Sequence, residues 1–272
     1  MRITPGGQLK AGLVMRDEPL MQPNDSSFVR FDVPKLTRRI STIVGGYGSG
    51  KSEVAVNLAR FFVTNQTESV TIADLDIINP YFRSREAAAE LAALGIFCLF
   101  PPGEQIYAEL PIILPNIKSA IQNGTGRLIL DVGGDDVGAR VLSSLADAFD
   151  PSTQDFLFVH NARRPFTADL AGSLKVMREI ETASRLHFTG IISNTHLLTD
   201  TTPEVLLAGL DLARKIGRET ELPVVFMCAL KAVLAKVPAG SIDVPVLPLD
   251  RALVKPWERK GNTWTDRKLR IH

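Results

Sequence analysis

The run Gly45-Gly46-Tyr47-Gly48-Ser49-Gly50-Lys51-Ser52 concentrates more potential chemistry than any other part of the chain. It satisfies the pattern G-x-x-x-x-G-K-[ST], follows the β-branched run 40–44 and opens a helix that starts near Ser52. Glycines at these spacings let consecutive backbone N–H groups wrap around a phosphate, and the helix N-terminus adds partial positive charge. Lys51 is then placed to reach the β- and γ-phosphates of a nucleoside triphosphate. The Ser52 hydroxyl is the natural ligand for Mg²⁺, with Glu53 beside it in the first helical turn. In a chain of ordinary composition a chance match to this pattern has a probability of about 1%. An incidental Gly-rich turn that also falls between a strand and a helix is rarer still.

Phosphoryl transfer also needs a carboxylate to hold hydrated magnesium and a group to position the attacking water or hydroxyl. Two segments supply acids where strands end: Val70-Thr-Ile-Ala-Asp74-Leu-Asp76 and Leu128-Ile-Leu-Asp131-Val-Gly-Gly134. Open parallel sheets bind ligands at that carboxyl edge. Asp131 is the candidate for the magnesium shell, and Gly134 for an N–H contact to the γ-phosphate. Asp74 acts through the same shell, while Asp76, further into its loop, is the candidate for polarising water. Asp135 and Asp136 are secondary, since acids in Gly-rich loops are commonly solvated. Arg83, Arg85, Arg140, Arg163 and Arg164 also fall near predicted strand ends. A guanidinium pairs bidentately with phosphate or carboxylate oxygens, so these five are candidates for an anionic client or for the γ-phosphate across a dimer. The competing reading of each is a solvated or helix-capping arginine.

These groups must be held by a scaffold, and the hydrophobic pattern describes one. Short apolar runs at 40–44, 70–75, 96–100, 127–132, 156–160, 188–193, 223–228 and 244–249 alternate with helical stretches. That alternation predicts βαβ units around a parallel sheet, an α/β fold with helices on both faces. Val54, Leu58, Phe61 and Phe62 recur at helical spacing, as do Leu170, Leu174, Met177 and Ile180, and Leu206, Leu207, Leu210 and Ala213. Such stripes pack helices on a sheet. Residues 1–37 read as an N-terminal arm or hairpin, 38–250 as the nucleotide-binding domain, and 251–272 as a basic C-terminal tail. The tail holds seven Lys/Arg, two acids, and both tryptophans, Trp257 and Trp264.

Composition excludes some functions. Hydrophobic residues make up 45% and charged residues 22%, with a formal net charge of +1, so no basic field for nucleic acid or membrane surfaces is expected. No apolar stretch approaches the roughly 18 residues of a membrane span, and the first residues lack an apolar signal core, which makes the cytoplasm the expected location. Cys98 and Cys228 each lie in an apolar run and read as core thiols. His160, His187, His196 and His272 show no metal-ligand spacing and read as structural.

Taken together, the phosphate loop, Asp74-Leu-Asp76 and the Asp131-Val-Gly-Gly134 loop resemble the MinD/ParA branch of the SIMIBI P-loop ATPases, over roughly residues 38–250. The resemblance implies a mainly parallel sheet of seven or eight strands, ATP with Mg²⁺, and hydrolysis or switching coupled to a homodimer that forms when ATP is bound. It also implies that Asn194, after the sixth strand, meets the adenine edge, and that Pro248, Leu249 and Asp250 close the base pocket. A turn role for Asn194 stands beside that reading. Partition and division ATPases carry a lysine just after the first loop glycine, whereas this chain has Gly46. The cysteine pair that holds the bridging cluster of the nitrogenase iron protein has no counterpart. Segments 76–86, Gly138-Ala-Arg140 and Asn161-Ala-Arg163-Arg164-Pro165-Phe166-Thr167 are similar to an uncharacterised CobQ/CobB/MinD/ParA nucleotide-binding group.

Three functions follow as expectations. The first is an ATPase switch that drives a protein partner, a small-molecule client or a cofactor-loading step. The second is an ATP-dependent transferase or ligase like dethiobiotin synthetase, the cobyrinate amidating enzymes or a kinase, and the third a nucleotide-binding scaffold without turnover. GTP is disfavoured, because Asn194-Thr195-His196-Leu197 lacks the acid that reads guanine.

Overall fold

The computed structural model describes residues 31–65, 68–76, 88–99, 106–134 and 136–251. Arg83, Arg85 and Asp135, together with residues 1–30 and the tail from 252, lie outside the described residues. Eight strands form one sheet in the order β3-β2-β4-β1-β5-β6-β7-β8, and every neighbouring pair is parallel. The strands are β1 (Ile40–Val44), β2 (Val70–Leu75), β3 (Phe97–Leu99), β4 (Arg127–Val132), β5 (Gln154–His160), β6 (Gly190–Ser193), β7 (Val224–Leu230) and β8 (Val246–Leu249). The helices are α1 (Lys51–Asn65), α2 (Ala88–Ala93), α3 (Ile106–Asn123), α4 (Asp136–Leu145), α5 (Leu170–Ser184), α6 (Pro203–Thr220) and the single turn α7 (Lys231–Leu234). The chain has an α/β fold, a parallel eight-stranded sheet with helices packed on both faces.

All five residues of β1 and all six of β4 are buried, as expected of strands covered on both faces. Their side chains alternate between two cores. Ile43, Ile72, Ile129 and Leu157 pack with Val54, Leu58 and Phe62 of α1. Leu128, Leu130, Phe156 and Phe158 pack on the opposite face with Ile117 of α3, Leu142 of α4, Met177 of α5 and Ile216 of α6. Phe156 and Phe188 stack there with ring centroids 4.5 Å apart. This alternation fixes where the acids go. Asp131 is two residues past Ile129 and Asp74 two past Ile72, so both carboxylates stand on the α1 face. His160 continues the Phe156-Phe158 row onto the other face.

Local signals set the helix limits. Asp169 caps α5 by accepting the Gly172 N–H at 2.7 Å, and Thr202 with Pro203 begins α6. Among the described residues no helix is long and apolar enough to cross a membrane. Before β1, Asp32 O accepts the Val246 N–H of β8 at 2.7 Å, and the buried Leu36 accepts from the Arg127 guanidinium of β4 through its carbonyl at 2.8 Å. Cys228 is buried, whereas Cys98 is only partly so, because β3 forms one edge of the sheet.

Candidate functional site

The loop between β1 and α1 sits at the centre of the carboxyl edge, because β1 lies between β4 and β5. Gly48 and Gly50 adopt φ of +70° and +89°, a left-handed backbone that a side chain would strain. Ser49 N–H donates to Gly46 O at 3.2 Å, and Val54 N–H to Gly50 O at 3.0 Å. Lys51 is only 7% exposed, and its Nζ donates to Gly46 O at 3.3 Å, folding the ammonium back over the loop. Gly134 closes the other side: a Cβ there would press on Gly45 O and lie 2.6 Å from Lys51 Nζ. The loop, Lys51 and Gly134 therefore form a cradle that leaves no room for a methyl group at residue 134.

Asp74 and Asp131 are Cα partners across β2 and β4. Asp131 is fully buried, and neither of its carboxylate oxygens makes a hydrogen bond of full geometry. Burial, followed by the charge of Asp74, holds the Asp131 carboxyl well above the usual carboxylate range, while the Ser52 hydroxyl and the Lys51 ammonium oppose the rise. Asp74 is also buried, and its Oδ1 accepts the Asp76 N–H at 3.0 Å. Asp76 lies just past the end of β2 and lines the cleft.

The cleft has a volume of about 390 Å³. Tyr47, Gly48, Gly50, Lys51, Ser52, Glu53, Asp76 and Gly134 border its phosphate end, and Asn194, Thr195 and His196 after β6 border its middle. Leu198, Ala229, Leu230 and Leu249 make the far end apolar, suited to the face of a base. Asn194 Nδ2 donates to Ser49 O at 2.8 Å, so that side of its amide steadies the phosphate loop. Of Pro248, Leu249 and Asp250, only Leu249 lines the cleft. The Asp250 backbone instead pairs with Asn57 of α1 in both directions, at 2.9 and 3.0 Å, and its carboxylate meets Lys231 at 2.6 Å. Among the arginines, Arg164 lines the cleft and contacts the loop, whereas Arg140 and Arg163 are exposed elsewhere.

By their spacing in the sequence all four histidines read as structural. His160 fits: it is buried on the α5 side, its Nε2 lies 3.1 Å from Thr167 O, and burial lowers its pKa to about 4. His196 instead lines the cleft with a pKa of about 4, lowered by burial and then by the charge of Arg164, so it is neutral there. Thr199, Thr201 and Arg251 are further lining residues that motif reading passed over. The signal for His196, Thr199 and Thr201 was their nearness in sequence to Asn194.

The residues fit a magnesium nucleotide. Asp131 supplies buried oxygens that lack full hydrogen bonds beside Ser52 and Lys51, and the glycines leave a cradle. Among the described residues no three His, Cys, Asp or Glu side chains converge as a complete metal cage.

No protein-family model and no curated protein sequence matches the chain. Among solved structures it is similar to the cell division protein FtsY of Thermotoga maritima, at 18% identity over 78% of this chain and 69% of that one, with a TM-score of 0.48. It is also similar to the signal recognition particle 54 kDa protein of Aeropyrum pernix K1 in complex with GDP. There the identity is 18% over 80% of this chain and 46% of that one, with a TM-score of 0.48. A nucleotide-binding protein of Archaeoglobus fulgidus in complex with ADP is similar at 16% identity over 69% of this chain and 81% of that one, with a TM-score of 0.40. Likenesses this distant leave nucleotide choice, activity and partners to be argued from the site.

Proposed function

We propose that the chain binds ATP with Mg²⁺ in this cleft and hydrolyses it as a molecular switch of the SIMIBI class, related to the MinD/ParA ATPases. One observation carries the reading: a buried Asp131 without full hydrogen bonds, in register with Asp74, stands on the α1 face beside Lys51 and Ser52. A buried acid so placed raises the cost of folding unless a cation neutralises it. Ser52 and Asp131 would hold the ion, with Asp74 acting through its water shell. Bound Mg²⁺ would offset charge on the β- and γ-phosphates.

The chain's own groups divide the remaining work. Loop N–H groups and Lys51 bind the phosphates, and the apolar end around Leu198, Leu230 and Leu249 takes the base. The Asp74 carboxylate fixes the Asp76 backbone through the 3.0 Å bond, so Asp76 is held at the rim, where it polarises the attacking water. The switch reading includes a homodimer formed with the triphosphate, and a protein or small-molecule client whose step the nucleotide cycle drives. The nucleotide-binding unit is residues 38–250, flanked by the arm and the basic tail.

The test is calorimetric titration of ATP–Mg²⁺ into the unaltered chain and Lys51→Ala. Binding should disappear in the variant while its melting curve in the absence of nucleotide is retained; equal affinity in the two proteins rejects the phosphate site. Light scattering with ADP and with a non-hydrolysable ATP analogue should show doubled mass with the analogue alone. A monomer with full turnover would reject the switch in favour of transfer to a small anionic substrate.

A further inference from the structure

The segment Asn161-Ala162-Arg163-Arg164-Pro165 leaves β5 in a turn that its own residues build. Asn161 Oδ1 accepts the Arg163 N–H at 2.9 Å, while Asn161 O accepts the Arg164 N–H at 3.2 Å and the Thr167 hydroxyl at 2.7 Å. Ala162 N–H donates to Thr195 Oγ1 at 3.0 Å, which ties the turn to the loop after β6. Pro165 restricts the residue before it to extended backbone, and Arg164 has φ −112° and ψ 140°. The backbone that carries the Arg164 side chain is thus set before any ligand arrives.

From there the guanidinium lies on the phosphate loop of its own chain. Arg164 Nε donates to Gly48 O at 2.6 Å. A Cβ on Gly48 would lie 3.1 Å from Arg164 Nε and 3.4 and 3.5 Å from its Cδ and Cζ, so residue 48 is small where the arginine crosses it. Its two terminal amino groups have no acceptor among the described residues, and it makes no ion pair there. The imidazole beside it, His196, is neutral. Gly46 brings no side-chain cation to the loop, and among the described residues the lysines and arginines lining the cleft are Lys51, Arg164 and Arg251. A guanidinium with spare donors at the wall of a phosphate cleft calls for an anionic partner.

We infer that Arg164 is a phosphate-binding residue acting in cis. Its Nε holds Gly48 O while its terminal amino groups contact the terminal phosphate of the nucleotide bound to the same chain. The inference rests on the nucleotide reading above and departs from a role across a dimer, because the bond to Gly48 ties the side chain to its own loop. The loop N–H groups serve a diphosphate and a triphosphate alike, and Lys51 spans the β- and γ-phosphates. The added charge of the terminal phosphate is what a further cation answers.

The experiment is calorimetry with ADP–Mg²⁺ and with a non-hydrolysable ATP analogue on the unaltered chain, Arg164→Ala and Arg164→Lys. Loss of one charge-assisted contact should weaken the analogue by roughly tenfold to a hundredfold in Arg164→Ala and leave ADP within about threefold. Arg164→Lys should recover part of the difference. Melting curves of all three proteins report whether the fold is kept. Mixing Arg164→Ala with Lys51→Ala should restore no turnover, since each variant lacks a group that its own site needs. An equal loss for both nucleotides would make Arg164 only a prop for the loop, and unchanged binding or recovery of turnover on mixing would equally overturn the inference. If the unaltered chain binds neither nucleotide, the site reading fails first and the inference falls with it; if it binds both and only the Arg164 contrast is absent, the site reading stands.

Discussion

Asp74 and Asp131 sit opposite one another on adjacent parallel strands, two acids brought to one face beside the phosphate loop. Burial and the neighbouring charge make Asp131 costly to ionise, so the ligand-free fold carries an electrostatic penalty. Asp131→Asn should therefore hold or raise ligand-free stability, by up to ~2 kcal/mol on the usual scale for relieving a buried charge. ATP turnover should fall by about a hundredfold or more. Thermal melts with and without ATP–Mg²⁺ check both halves. A large drop in the ligand-free melting midpoint would mark Asp131 as an anchor of the fold instead.

Asp76 and Asp74 should separate in kinetics. Removing a group that positions water slows turnover more than it weakens ground-state binding. Asp76→Asn is expected to keep ATP affinity within a few-fold and lose hydrolysis, as measured by phosphate release alongside calorimetry. Hydrolysis that survives Asp76→Asn and disappears in Asp74→Asn would exchange their roles.

Neighbouring glycines in the loop should respond in opposite ways to one methyl group. At Gly45 a Cβ would collide with Val159 O, whereas at Gly46 it would meet only Thr167 Cγ2 at 3.7 Å and Val176 Cγ1 at 3.9 Å. Gly45→Ala should cost about 1–3 kcal/mol, in the range of overpacked interiors. Gly46→Ala should change stability by less than about 0.5 kcal/mol. Denaturant titration of the two variants distinguishes them directly.

His160 gives the fold an acid limit. Its pKa is lowered from 6.5 to about 4, so the unfolded chain takes up the proton first as pH falls. The stabilising contribution is complete above pH 6.5 and is lost progressively as pH falls toward 4. At about 1.4 kcal/mol per pH unit the loss reaches roughly 3 kcal/mol. His160→Gln should flatten this limb of the stability profile; an unchanged slope between pH 6.5 and 4 would assign it to other groups.

The sequence located the strands well because a strand covered on both faces must be apolar along its length, and turn residues bound each run. All eight runs correspond to strands, with β6 and β8 each starting two residues later than their runs, β5 starting two residues earlier and β7 ending two residues later. Lateral order was not legible, since nothing in residues 40–44 says that β4 and β5 will be their neighbours. For the same reason Arg163 and Arg164 looked equivalent, although only the second reaches the loop. The placement of Cys98 on an edge strand and of His196 in the cleft likewise depends on which elements become adjacent. Asp131 was legible by contrast, because its position at the end of a strand and the spacing of Ile129 fix both its depth and its face.

The place of β1 in the sheet also sets an order of events on the ribosome. Ile40 pairs with Leu128 on one side and Gln154 on the other, so both neighbours of β1 are translated long after it. At ~5–20 residues per second, the roughly 80 residues from the end of β1 to the start of β4 take about 4–17 s to synthesise. Through that interval β1 has neither hydrogen-bonded flank, and α1 lacks most of the sheet on which it packs. Nucleotide therefore cannot template the early nascent chain, and a chaperone that shields the first 65 residues would act before any ligand can.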